Sequence, residues 1–164
     1  MKFNRILDYI PNNSTTYVEK ILLNTELEIK LVNKRKSKYW DFRKHTYWFF
    51  KITLNKSQNH YIFLITLIHE LSHYFVSKYY IKKAKPHGKE WKLEFRKLMQ
   101  PLLNDKIFPQ KILINLHKYF KNPKASTDSD LELAIELSKY DSREFNIKFL
   151  KDISKNEFFE YGDN

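Results

Sequence analysis

Tyr61-Ile62-Phe63-Leu64-Ile65-Thr66-Leu67-Ile68-His69-Glu70-Leu71-Ser72-His73 is the stretch whose reading decides the fold. An apolar run passes without a break into the pattern H-E-x-x-H. On a helix of about 3.6 residues per turn, positions four apart share a face, so His69 and His73 lie one above the other. Two imidazoles so placed can hold one divalent metal ion, with Glu70 beside it as a general base. Ionisable side chains in so apolar a segment require pairing or a metal. The pattern therefore predicts a buried helix over about residues 60–80, one side of which lines a cleft.

Working outward, Leu27-Glu28-Ile29-Lys30-Leu31-Val32 alternates apolar and polar residues with period 2, and residues 39–44 and 47–54 read as two further strands. Together they predict a small antiparallel sheet of about three strands ahead of the central helix, whose N-cap is Ser57 or Asn59. Before the sheet, a turn at Pro11-Asn12-Asn13-Ser14 leads into a packing helix capped by Thr15 or Thr16, with Tyr17, Val18, Ile21 and Leu22 as its apolar stripe. Beyond the central helix, an amphipathic helix starts at Gly88 with Trp91, Phe95 and Leu98 inward. Pro109 opens another, and Ser129-Asp130-Leu131-Glu132 fits a capping box that opens a third. Residues 145–161 read as a terminal strand or hairpin. The expectation is one α+β domain over residues 1–164, with a core of about 1–100 and a helical extension of about 101–144.

A catalytic zinc site needs a third protein ligand. On spacing, His87, Glu90 and Glu94 are candidates: His87 follows the break at Pro86, and Gly88 lets the backbone swing close. His117 reads as an ordinary helix residue. The segments His69-Glu70-Leu71-Ser72-His73 and Lys85-Pro86-His87-Gly88-Lys89-Glu90-Trp91-Lys92 resemble the SprT-like (Spartan-type) zinc metalloprotease family, over roughly residues 25–100. Phe120-Lys121-Asn122-Pro123-Lys124-Ala125-Ser126 is similar to a Bacteroidetes-type subgroup. The resemblance implies a zincin-like core, one Zn²⁺ per chain on His69, His73 and His87, and Glu70 activating the attacking water. It also implies a protein substrate, in eukaryotic relatives a protein crosslinked to DNA.

Charge bears on partners. The formal net charge is +11, and residues 1–100 carry 20 Lys/Arg against 8 Asp/Glu, whereas residues 101–164 carry 10 against 11. This basic excess points to a polyanion. The tip Lys34, Arg35, Lys36 and Lys38 beside Trp40 mixes cations with an aromatic face, as single-stranded or damaged DNA would require. The chain has no cysteine, which excludes a disulfide framework and a cysteine-held zinc ribbon. Residues 61–68 are far shorter than the 18 or more apolar residues of a membrane span, and no N-terminal signal stands out. A cytoplasmic zinc endopeptidase acting near DNA is the reading, with a non-proteolytic nucleic-acid-binding scaffold holding structural zinc as the alternative.

Overall fold

The computed structural model describes residues 4–33, 40–44, 50–56, 58–80, 84–124, 126 and 129–141. In chain order these form α1 (Asn4–Leu7), α2 (Thr15–Leu23), β1 (Leu27–Val32), β2 (Trp40–Lys44), β3 (Phe50–Asn55), α3 (His60–Tyr79), α4 (Lys89–Met99), α5 (Gln110–Tyr119) and α6 (Leu131–Ser138). The chain is α+β. Among the described residues, no helix is long and apolar enough to cross a membrane.

The three strands form one sheet in the order β1-β3-β2. β2 pairs antiparallel with β3, Phe42 opposite Ile52, but β1 runs parallel to β3, Ile29 opposite Ile52. The sheet is thus mixed and not antiparallel throughout. β3 carries Phe50, Ile52 and Leu54, all buried, while β1 is half exposed along Glu28–Val32. β3 takes the central place, where both of its edges are paired, and separates β1 from β2, which run in opposite directions, so that one of its two pairings is parallel. Alternation marks a strand but does not say which strand it will neighbour.

α3 is buried over most of its circumference, from Phe63 to Ser72 and again at Tyr74, Phe75 and Val76. It starts at Asn59, whose side-chain oxygen accepts from the backbone N–H groups of Tyr61 and Ile62 at 3.1 and 3.0 Å. The same side chain donates to the carbonyl of Leu137 at 2.9 Å, tying the start of α3 to the end of α6. At the other end, the Tyr74 hydroxyl accepts from the backbone N–H of Glu26 at 3.1 Å, and its ring meets Phe50 edge-on at 5.0 Å. α3 is therefore pinned to β1, β3 and α6, and its histidine face has a fixed direction.

Three local expectations are corrected. The turn before α2 is present as a 3₁₀ turn over Asn12–Ser14, but Ser14 stands at the N-cap, so Thr15 and Thr16 lie inside the first turn of α2 and do not cap it. α6 is capped by Asp130, which accepts from the Leu133 N–H at 3.1 Å, and not by Ser129. Glu132, the other half of the expected box, pairs with Lys118 of α5 at 2.9 Å. Pro109 stands at the N-cap of α5, one place earlier than expected. Residues 145–161 lie outside the described residues.

Candidate metal centre

His69 and His73 stand one turn apart on α3, and His87 comes from the turn that leads into α4. Their Nε2 atoms converge: 3.1 Å between His69 and His73, 3.0 Å between His73 and His87, and 3.2 Å between His87 and His69. Three neutral imidazoles can each offer one lone pair, and here all three are aimed at one another. In a tetrahedron with metal–nitrogen bonds of about 2.0–2.1 Å, the ligand nitrogens lie about 3.3–3.4 Å apart. The triangle is within a few tenths of an ångström of that edge, so the three histidines could bind a metal ion. Burial keeps them ready for it. His69 is held down to about 2, chiefly by desolvation and then by His73 and His87. His73 is held down to about 4 by desolvation and by His87, and desolvation also lowers His87.

The turn that delivers His87 works differently from the sequence expectation. Gly88 has an ordinary extended φ of −71°, and the left-handed residue is His87 itself, at φ 57°. That conformation costs a non-glycine residue about 1–3 kcal/mol. Gly88 is needed for space: a Cβ there would stand 2.9 Å from the carbonyl oxygen of Lys85, the acceptor of the Gly88 N–H. The turn over residues 85–88 is closed by that bond, and it holds His87 over α3.

Glu70 is fully buried, with its carboxylate oxygen 3.8 Å from His69 Nε2. It thus lies beside the three nitrogens without being one of the converging atoms, as a base acting on a water between them requires. The other candidates are elsewhere. Glu94 is buried and pairs with Lys97 at 3.3 Å, Glu90 folds back towards Gly88, and His117 is exposed on α5. Among the described residues, the cluster that could hold a metal ion is His69, His73 and His87. Of the proposed nucleic-acid contacts, Lys34, Arg35, Lys36 and Lys38 lie outside the described residues, and Trp40 opens β2.

Trp91, whose spacing predicts only an inward core position, also belongs to the site. Its ring lies 4.7 Å from His69, 5.5 Å from His73 and 4.7 Å from His87, touching all three imidazoles. Its indole N–H donates to the His69 carbonyl at 3.4 Å. Behind it, Phe95 packs at 4.8 Å and Phe120 meets Phe95 at 5.0 Å. Phe120 is held by Arg96, which donates to the carbonyls of Phe120 and Lys121 at 2.8 and 2.5 Å. An aromatic series thus runs from the segment after α5 to the histidines. The four-residue spacing of His87, Trp91 and Phe95 was its trace in the sequence.

Comparison with protein-family models, curated proteins and solved structures returns no match for this chain.

Proposed function

We propose that this protein is a zinc-dependent endopeptidase of SprT type with a zincin-like core, acting on proteins associated with or crosslinked to DNA. The observation that carries this reading is the meeting of three Nε2 atoms within 3.2 Å of one another beside a buried carboxylate. Structural zinc sites are closed by four protein ligands, whereas catalytic sites keep three and leave a position for water. The triad favours the second arrangement over a structural site in a scaffold, and His73 and His87 are only half buried.

His69, His73 and His87 would hold the ion, and zinc there supplies a Lewis acid that polarises a carbonyl and lowers the pKa of water to about 7. Glu70 takes the proton of the attacking water and returns it to the leaving amine, so that no net proton is consumed within the cycle. Its burial keeps bulk water from competing for that proton. Trp91 fixes the three ring planes by contact. The nucleic-acid side of the reading rests on the +11 charge and the salt-sensitive attraction it implies.

Metal analysis joined to a protease assay, with and without single-stranded DNA, tests the proposal on wild type and Glu70→Gln. Both should carry one zinc per chain, and only the wild type should cleave. Equal cleavage by the two, or a wild type that takes up no zinc, refutes it.

A further inference from the structure

α4 leaves the metal-ligand turn with three of its four cations gathered on one side. Lys89, Lys92 and Arg96 recur at steps of three and four and so share a helix face, and Lys85 stands four residues ahead of them. Lys85, Lys89 and Arg96 are exposed and Lys92 is half buried. The face continues onto the turn after α5, because Lys92 donates to the Asn122 side chain at 2.8 Å and Arg96 holds the carbonyls of Phe120 and Lys121. Exposed Lys121 and Lys124 are thereby brought alongside. The partners of Lys92 and Arg96 are neutral, so both charges remain available to an outside ligand. The carboxylates of α4 point elsewhere: Glu94 is buried against Lys97 and Glu90 folds towards Gly88.

Steps of three or four residues at 1.5 Å rise set these cations about 4.5–6 Å apart along the axis, over about 10 Å from Lys89 to Arg96. A phosphodiester strand repeats its charge every few ångströms, about 3.4 Å per strand along a duplex, so a row of cations of this length can meet several successive phosphates. The cleft of about 1000 Å³ between α1 and β1 is a poorer match, since Asp8 and Glu28 line it with Arg5, Lys30, Lys51 and Lys56, and Glu28 already pairs with Lys51 at 2.7 Å.

We infer that the face running from Lys85 along α4 to Lys121 and Lys124 docks a nucleic-acid strand, which then passes beside the metal centre. This deepens the proposed function and rests on its nucleic-acid half. A protein attached to such a strand would be held next to Glu70 by the strand, whatever the protein's own sequence.

The test is an anisotropy titration of the full chain with a fluorescent single-stranded thymidine oligonucleotide at several salt concentrations. Lys85→Gln/Lys89→Gln/Lys121→Gln is compared with Lys20→Gln/Lys30→Gln/Lys56→Gln, which removes the same charge elsewhere. At about 0.7 per phosphate contact on a single strand, the first triple should lower the slope of log affinity against log salt by about 2 and weaken binding at least tenfold. The second should leave the slope nearly unchanged. Equal loss in both triples, or none in the first, overturns the inference and leaves the peptidase reading intact. A wild type that ignores the oligonucleotide at every salt concentration also removes the nucleic-acid half of the proposed function. Polyglutamate binding as tightly as the oligonucleotide would assign the face to an acidic polypeptide and overturn the inference.

Discussion

Gly88→Ala adds one methyl group at the tightest turn of the candidate site, and its effect can be worked out from the contacts there. The new Cβ would lie 2.9 Å from the Lys85 carbonyl oxygen, where ordinary contact begins at 3.4 Å, so about half an ångström must be found. The Glu90 carboxylate, at 3.3 Å, can swing away at little cost, but the Lys85 oxygen is backbone and accepts the Gly88 N–H at 2.9 Å. Opening the turn loses much of that bond, about 1 kcal/mol, and the overpacking adds about 1–2 kcal/mol. The φ of Gly88 is ordinary, so no conformational penalty enters. The total of about 2–3 kcal/mol corresponds to roughly 5–10 °C in a chain of this length. Metal ligation should suffer as well, because ligand positions must hold to about 0.2 Å and the turn that moves carries His87. Zinc affinity should fall about 10–100-fold, as when a supporting partner of a ligand is removed. Calorimetric melting of the metal-free protein and a chelator-competition titration measure the two effects separately. If Gly88→Ala melts with the wild type and binds zinc equally well, the close-approach account of this turn is wrong.

Phe120→Leu trims the far end of the aromatic series and should weaken Co²⁺ binding about 3–10-fold, with a shifted visible spectrum for the bound ion. An unchanged spectrum would mean that Trp91 is held without help from the segment after α5. In the metal-free protein, His69 and His73 are held down to about 2 and about 4, below the ordinary value of about 6.5 that they regain on unfolding. The unfolded chain then binds protons that the folded one refuses, so stability is complete above about pH 6.5 and falls as the pH drops towards 4 and then 2. The loss is at most about 1.4 kcal/mol per pH unit per histidine; denaturant melts at pH 7 and 5 measure it, and equal stability at both would refute it. Asn59→Ala removes the cap of α3 and its link to Leu137. It should cost about 2–3 kcal/mol in chemical denaturation, and a loss below 0.5 kcal/mol would show that α3 does not depend on that anchor.

The sequence by itself determined what depends on neighbours along the chain. The 3.6-residue period placed His69 and His73 on one face of α3, and the apolar run around them required its burial. Period-2 alternation found β1, and the run Gly88 to Leu98 laid out the inward face of α4. Spacing kept His87, Glu90 and Glu94 open as a third ligand and only the family resemblance singled out His87; the structure brings its Nε2 within 3.2 Å of those of His69 and His73. What depends on position in space needed the tertiary structure. The parallel pairing of β1 with β3 depends on β3 taking the place between β1 and β2, and alternation within one strand does not carry that information. Likewise, no local pattern distinguishes the backbone of His87 from that of Gly88: the left-handed residue is set by where α3 and α4 pack. Trp91 and Phe95 read as core from their spacing, and core they are. That the same rings also bear on three imidazoles, braced by Phe120 from 25 residues further along, is a fact of packing, because van der Waals contact acts over ångströms in space and is blind to distance along the chain.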